Sequence, residues 1–138
     1  MRLWHKDLLP ILPRLQLVSQ WRECCLIARQ IAVNGTPNHI LVNKIMDYPI
    51  EHFATYCYNV KWWMVKRGYS PNESSQAALE DYIYKTLYPY VPEDLIFKDW
   101  HNDRYLYQCI SNLEEKYDCG GIPEEEWIPL ENYILEVI

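Results

Sequence analysis

The sequence predicts an all-α fold, a compact bundle of about four main helices, and two observations support this prediction. Apolar residues recur at helical spacing in four segments, and no segment alternates Val or Ile over the length of a strand, HILV at 39–42 being the one short candidate. With 138 residues, 49% of them hydrophobic, the chain can bury a core of its own. No repeat or Gly/Ser linker interrupts it, so residues 1–138 are expected to form a single helical domain.

The first two helices are predicted at 14–33 and 49–67. Gly35 follows the first and Gly68 follows the second, and glycine is the residue that most often ends a helix. Each segment carries an apolar stripe that is expected to face the core. The stripes are Leu17, Trp21, Cys24, Ala28 and Ile31 in the first helix, and Ile50, Phe53, Cys57, Val60 and Met64 in the second.

Two further helices are predicted in the second half of the chain. Residues 70–73, Ser-Pro-Asn-Glu, match a capping box with proline at the first helical position, and the third helix is expected from there to about 87. The fourth begins near 102 or 103 and stops at the glycines at 120–121. Its apolar positions are Leu106, Cys109, Ile110, Leu113 and Tyr117. A short helix is compatible with 38–46, and the acidic tail is expected to hold only a turn or two.

Composition narrows the class of protein. No apolar run approaches the roughly 20 residues that a membrane-spanning helix needs, and the first residues lack the apolar region of a signal peptide. Five cysteines without a C-x-x-C pair indicate reduced thiols, so a cytoplasmic protein is expected. The four histidines show no metal-ligand spacing, and no metal or other cofactor is expected. The oligomeric state is not indicated.

Charge is distributed unevenly along the chain. The formal net charge is −6, yet residues 1–68 carry nine Lys/Arg against four Asp/Glu, whereas residues 69–138 carry four against fifteen. Such an uneven distribution of charge is typical of a protein with a basic binding face. The two halves could also interleave in space, so that their electrostatic fields partly cancel.

One polar sector of the first helix contains residues that could take part in catalysis. Glu23 lies in it with Gln16, Ser19, Gln20 and Gln30, and Arg14, Arg22 and Arg29 form a neighbouring basic stripe. A plain interpretation is a solvated, salt-paired face. A functional interpretation combines the carboxylate with a nucleophilic α-amino group at the chain start. An amine that attacks a sugar C1′, a carboxylate that stabilises the resulting cation and arginines that hold phosphates make up a bifunctional DNA glycosylase.

The sequence resembles the phage-type pyrimidine-dimer DNA glycosylase family, and especially its bacterial branch. The matching motifs are spread over nearly the whole chain, and the run from Trp21 to Cys25 is the most specific. They are Met1-Arg2-Leu3-Trp4-His5, Leu12-Pro13-Arg14, Gln20-Trp21-Arg22-Glu23-Cys24-Cys25, Lys66-Arg67-Gly68-Tyr69, His101-Asn102-Asp103 and Asn112-Leu113-Glu114-Glu115-Lys116-Tyr117.

This resemblance implies an all-α fold and a DNA-repair glycosylase/AP lyase that needs no metal. It implies damaged double-stranded DNA as the partner, pyrimidine dimers as a candidate lesion, and a flipped nucleotide at the damaged site. Glu23 then takes the role of the catalytic carboxylate, and Arg22 that of a phosphate contact. The nucleophilic amine belongs to Met1, because Arg2 at the next position normally prevents removal of the initiator methionine. Arg2, Arg14 and Arg29 are further candidate DNA contacts.

Other interpretations remain open. The acidic second half would repel phosphate, so the chain could be a catalytically silent helical binding protein on the same scaffold. Exposed tryptophans among Trp62, Trp63, Trp100 and Trp127 would then anchor a protein partner, unless they belong to the core. A third class is a relative that acts on another nucleic acid or a nucleoside, with Glu23 as acid/base and no amine nucleophile.

Two further sets of residues are weaker candidates. A thiol enzyme based on Cys24 or Cys25 is disfavoured, because adjacent residues point to different sides of a helix and Cys24 lies on the apolar stripe. His5 and His101 could join a site near the chain start, or serve as structural histidines.

Overall fold

The computed structural model describes residues 1–71, 79 and 90–137, and every regular element in that part of the chain is helical. Its main helices are α1 (Arg14–Asn34), α2 (Ile50–Lys66), α3 (Asp103–Asp118) and α4 (Glu124–Val137). Short 3-10 helices lie at Lys6–Ile11, Asn43–Asp47 and Glu93–Leu95. The all-α prediction is therefore confirmed. No described helix combines the length and the apolar character that crossing a membrane requires.

Glycines end the first two main helices, as their positions in the sequence predict. Gly35 has a φ of 77°, and its N–H donates to the Ile31 carbonyl at 2.8 Å. Gly68 has a φ of 86°, and the next residue, Tyr69, donates its N–H to the Met64 carbonyl at 2.8 Å. These left-handed conformations cost glycine little, and they let the chain turn back while the last helical carbonyls stay hydrogen bonded.

Three local predictions differ from the structure or fall outside it. The tail forms a 14-residue helix instead of a turn or two, because Trp127 and Leu130 are buried and hold it against the bundle in spite of Pro129. The segment 39–42 is a turn and not a strand, and the short helix at 38–46 shrinks to the 3-10 helix Asn43–Asp47. The third predicted helix lies outside the described residues, apart from residues 70 and 71 at its start and the helical, buried Leu79.

The core lies between α1 and α2 and is completed by the segment that precedes α1. The predicted stripes are confirmed, since all their members are buried except Ile31 and Ile50, which are partly buried. The residues before α1 were not predicted to be buried, yet Leu3, Leu8, Leu9 and Leu12 are among the most buried in the chain. A buried chain start therefore packs along one side of α1.

This packing changes the environment of the polar sector of α1. Gln20 is fully buried, and Gln16, Ser19, Glu23 and Gln30 are partly buried. The interpretation of this sector as a solvated, salt-paired face therefore holds only in part: Gln20 is covered, the other members keep some exposure, and no ion pair within the described residues includes Glu23. The periodicity of one helix does not reveal which other segment covers it. The exposed side of α1 instead carries Arg14, Arg22 and Arg29.

Candidate active site

A single glutamine side chain joins the chain start to α1. The Gln20 amide oxygen accepts the backbone N–H of Trp4 at 2.7 Å, and its amide nitrogen donates to the Arg2 carbonyl at 3.0 Å. The same nitrogen donates to a Glu23 carboxylate oxygen, Oε2, at 3.2 Å. One buried amide therefore contacts both the second residue of the chain and the predicted catalytic carboxylate.

Glu23 lies one turn after Gln20, at the border between the covered and the exposed sides of α1. Its side chain is partly buried, and Gln20 is its hydrogen-bond partner among the described residues. No ion pair within 4.0 Å joins its carboxylate to the α-amino group of Met1, which is also partly buried. The structure thus brings the two predicted catalytic groups to one region without pairing them.

Side chains from three helices hold the backbone of the chain start. Besides the two contacts from Gln20, the Tyr56 hydroxyl donates to the Trp4 carbonyl at 2.6 Å, and the Tyr105 hydroxyl donates to the Leu3 carbonyl. His101 accepts the Lys6 N–H on Nδ1 at 3.0 Å. The backbone N–H and carbonyl groups of these residues thereby find hydrogen-bond partners inside the protein. The first residues consequently have a defined position.

Burial keeps these supporting groups uncharged. It raises the pKa values of Tyr56 and Tyr105 well above that of an ordinary tyrosine, so both phenols remain proton donors. Burial, together with His5 and Lys6, lowers the pKa of His101 well below its usual range. The neutral imidazole can accept the Lys6 N–H, whereas a protonated imidazole could not.

His5 and His101 lie beside the chain start, with ring centroids 5.1 Å apart in a stacked arrangement. Both are nearly fully buried, and burial also lowers the pKa of His5. Tyr105 packs against both rings, at 6.2 and 5.0 Å. Their polar contacts are with backbone N–H groups, and His5 Nδ1 also lies 3.9 Å from the Asp7 carboxylate, which fits a structural role in support of the site.

The four candidate DNA-binding arginines occupy different surroundings. Arg22 and Arg29 are exposed on α1, and Arg22 donates to the Ser19 hydroxyl at 3.4 Å. Arg2 is partly buried, with its guanidinium 5.5 Å from the Trp4 ring centroid and a weak contact to the Cys109 sulfur at 3.9 Å. Among the described residues none of these three forms an ion pair. Arg22 and Arg29 are therefore placed to meet an anionic partner.

Arg14 lies apart, at the start of α1. Its guanidinium is 5.6 Å from the Tyr69 ring centroid, and that of Arg67 lies 5.5 Å from the same ring. Its backbone N–H donates to the carboxylate of Glu126, from the acidic α4. Because nine residues separate Arg14 from Glu23, this acidic contact lies about 13 Å away from Glu23 along the helix axis.

The cysteines belong to the core. Cys24, Cys25, Cys57 and Cys109 are buried, and only Cys119 is exposed. Burial raises the pKa of Cys25 to about 12 and also raises those of Cys57 and Cys109. A thiol with such a pKa is almost wholly protonated near neutral pH and is a poor nucleophile. Cys25, Cys57 and Cys109 are therefore poor nucleophiles in the folded protein.

Sequence reasoning missed the groups that hold the chain start. Gln20 was placed in the polar sector of α1, although its position on the helix indicated that it could be buried. It lies three residues after Leu17 and three before Glu23, so it stands midway between the buried stripe and the polar sector. His101 was already a candidate for a site near the chain start, whereas Tyr56 and Tyr105 come from distant segments and no local pattern points to their shared target.

Comparison with known proteins gives one match. The family model described as pyrimidine dimer DNA glycosylase matches residues 1–77, which include α1, α2, Gln20 and Glu23. No curated protein and no solved structure matches the chain. The match confirms the resemblance at the level of the family, and the assignment to a bacterial branch stays a prediction. Because the match covers more than half of its residues, the chain belongs to the pyrimidine dimer DNA glycosylase family.

Proposed function

We propose that this protein removes damaged bases from double-stranded DNA and then cleaves the abasic site, with pyrimidine dimers as the expected lesion. Membership of the family supports a role in DNA repair as a glycosylase. The observation that carries the proposal of mechanism is the buried Gln20 amide, which contacts both the backbone of Arg2 and the carboxylate of Glu23. It supports Met1 as the nucleophile and Glu23 as the catalytic carboxylate, because the carbonyl that Gln20 holds belongs to Arg2, the residue directly after Met1.

In the first step the unprotonated α-amino group of Met1 attacks C1′ of the damaged nucleotide. The bond from C1′ to the base breaks, and its electron pair leaves with the base, which takes up a proton. The attacking nitrogen then loses a proton. The C1′–O4′ bond breaks with its electron pair on O4′, which takes up a proton, and the nitrogen lone pair forms the double bond of a protonated imine between Met1 and C1′. The carboxylate of Glu23 stabilises the positive charge that develops on the sugar.

In the second step Glu23 accepts a proton from C2′. The electrons of that C–H bond form a double bond between C2′ and C3′, and the C3′–O bond breaks with the 3′ phosphate as the leaving group. Water then hydrolyses the imine and restores the free amine. This sequence is a β-elimination, the reaction of an AP lyase.

Arg22 and Arg29 supply the proposed phosphate contacts. Both are exposed on the helix that carries Glu23, and neither is paired with an acid in the described part of the chain. Arginine donates several N–H groups in a fixed plane, which suits it to phosphate oxygens. The hydrogen bond that Glu126 of the acidic α4 makes to α1 is at Arg14, about 13 Å from Glu23 along the helix axis.

Borohydride trapping tests the mechanism directly. Sodium borohydride reduces the imine to a stable amine, so the wild-type protein should form a covalent adduct with a duplex that contains an abasic site. Glu23→Gln should reduce the rate of trapping by about 100-fold or more, the range expected for loss of a general acid–base group. Glu114→Gln, on the exposed side of α3, serves as the control and should trap like the wild type.

Acetylation of the α-amino group separates two mechanisms. It should abolish trapping if Met1 is the nucleophile. Base release that survives acetylation would favour an enzyme that uses Glu23 as acid/base without an amine. No adduct with the wild-type protein, or an adduct that Glu23→Gln does not affect, would contradict the proposal.

A catalytically silent binding protein is the second candidate, and the outer face of α2 favours it. Tyr58, Trp62 and Val65 are exposed there, Trp62 with 45% of its surface accessible, whereas Trp100 and Trp127 are buried and Trp63 is partly buried. An exposed tryptophan is a common anchor for a protein partner. Failure to bind duplex DNA even at low salt would favour this candidate.

A further inference from the structure

The carboxamide of Gln20 makes three hydrogen bonds and one further polar contact. Its oxygen accepts from the Trp4 N–H at 2.7 Å and lies 3.1 Å from the hydroxyl oxygen of Tyr56, whose one hydrogen is donated to the Trp4 carbonyl at 2.6 Å. Its nitrogen donates to the Arg2 carbonyl at 3.0 Å and to Glu23 at 3.2 Å. Both donor positions and one acceptor position are thus filled in a side chain that is fully buried.

The partners also fix the orientation of this amide. The Trp4 N–H can only donate, so it requires the oxygen, and the Arg2 carbonyl can only accept, so it requires the nitrogen. A carboxylate of the same length could keep the contacts of the oxygen but would lose both donors. An apolar side chain would leave the Trp4 N–H and the Arg2 carbonyl without these partners. Glutamine is therefore the residue type that satisfies the Trp4 N–H, the Arg2 carbonyl and the Glu23 carboxylate at once.

We infer that Gln20 is a positioning residue, which sets the place of the Met1 amine relative to the Glu23 carboxylate. This inference rests on the proposed function. The amine is separated from the held Arg2 carbonyl by only one peptide unit, and a residue spans about 3.3 to 3.6 Å. Its freedom of movement is therefore limited by the bond that Gln20 makes to that carbonyl.

The contact with Glu23 gives Gln20 a second effect on the site. It holds carboxylate oxygen Oε2, and the other oxygen has no hydrogen-bond partner among the described residues. That oxygen remains available to take the C2′ proton. Reacting groups need to meet at about 3 to 3.5 Å, and a misplacement of about 1 Å can reduce the rate about 100-fold. An amide that fixes both groups thus has a large influence on the rate.

Gln20→Met tests the inference, with Gln30→Met as a control on the same helix. We expect Gln20→Met to reduce the single-turnover rate of borohydride trapping about 100-fold. The Kd for an abasic duplex should change less than about threefold, because exposed arginines supply the phosphate contacts. Gln30→Met should alter neither quantity. A wild-type rate of trapping in a folded Gln20→Met protein would overturn the inference and leave the proposed function intact.

A pH profile distinguishes positioning from simple support of the fold. Gln20→Glu keeps the contacts of the oxygen, and a protonated carboxyl also regains one donor. Its trapping rate relative to the wild type should therefore rise as the pH falls from 8 to 5. Far-UV circular dichroism that stays constant over this pH range shows that the change in rate is not a change in folding, and a flat ratio would overturn the inference.

A measurement without DNA makes a failure of the inference distinguishable from a failure of the proposed function. Acetic anhydride modifies free α-amino groups, and mass spectrometry follows its reaction with Met1. If Gln20 holds the chain start, Gln20→Met should change the rate of this modification by at least about threefold, while Gln30→Met should not. If the wild-type protein forms no adduct with DNA, the proposed function fails, and this rate alone decides whether Gln20 positions the amine.

Tyr56→Phe provides a milder variant in case Gln20→Met does not fold. It removes one of the four contacts to the amide and should lower the trapping rate by about three- to tenfold, the effect of about 1 kcal/mol. If this variant keeps both the wild-type rate of borohydride trapping and the wild-type rate of Met1 acetylation, the result counts against the inference.

Discussion

The hydroxyl of Tyr56 donates a hydrogen bond to the Trp4 carbonyl at 2.6 Å, across 52 positions of the sequence. Tyr56 is fully buried on α2, and its hydroxyl also contacts the amide of Gln20. The contact connects the second helix to the chain start and supports the residue that contacts Glu23. The position of the candidate site thus depends on a core tyrosine that would not touch the substrate.

Replacement of this tyrosine should lower stability. We expect Tyr56→Phe to reduce the free energy of unfolding by about 1 to 3 kcal/mol, because the Trp4 carbonyl is left without its buried partner. Urea unfolding measures the change. Tyr58→Phe is the matched control, since Tyr58 is exposed on the same helix, and its effect should stay within about 0.5 kcal/mol. Equal effects of the two substitutions would contradict the prediction.

Stability should also fall in mild acid because of His101. Burial lowers its pKa in the folded protein, so the unfolded chain binds a proton at a higher pH than the folded one does. Its contribution is complete above the unfolded value of about 6.5 and is lost progressively as the pH falls below it. One histidine can add a slope of about 1.4 kcal/mol per pH unit.

Urea unfolding between pH 7.5 and 5 measures this slope. His101→Asn should reduce it, because the amide oxygen can still accept the Lys6 N–H but does not titrate. Some slope should remain, since burial also lowers the pKa of His5. His39→Asn removes a histidine far from this pair and should leave the slope as in the wild type. A slope that His101→Asn does not change would show that other groups control acid stability.

The helices could be predicted from the sequence because their signals are local. Apolar spacing and Gly35 or Gly68 define α1 and α2 without knowledge of the rest of the chain. The length of α4 was underestimated because Pro129 argues against a helix, while burial of Trp127, which favours it, depends on distant partners.

The candidate site was predictable only in part, for the same reason. Arg22 and Glu23 stand out through their local motif, and the family match includes them. The burial of Gln20 depends on the segment before α1, and the contacts to Leu3 and Trp4 come from helices far along the chain. Helical periodicity describes one element at a time, so it cannot predict which polar face another segment will cover.

The cysteines should differ sharply in reactivity. Cys119 is exposed, whereas the other four thiols are buried, and burial raises the pKa of Cys25 to about 12. A thiol reagent such as DTNB should therefore modify one cysteine per folded chain rapidly, and the remaining four only after unfolding. Cys119→Ser should abolish the rapid phase. Any thiol that still reacts rapidly in that variant would contradict the burial of the core cysteines.

The salt dependence of DNA binding should identify the arginines that contact phosphate. Each phosphate contact adds about one unit to the slope of log K against log salt concentration. Arg22→Gln and Arg29→Gln should each weaken binding to duplex DNA and reduce this slope by about one. Both side chains are exposed on the helix that carries Glu23.

Arg104→Gln is the matched control for this measurement, because Arg104 is also exposed but lies on α3. All three substitutions change the net charge equally, so a slope that falls in the α1 variants alone reports the place of contact. Equal effects of the three would mean that only the overall charge matters. If the wild type binds the duplex and neither Arg22→Gln nor Arg29→Gln changes the affinity or its salt dependence, the DNA must contact another face of the protein.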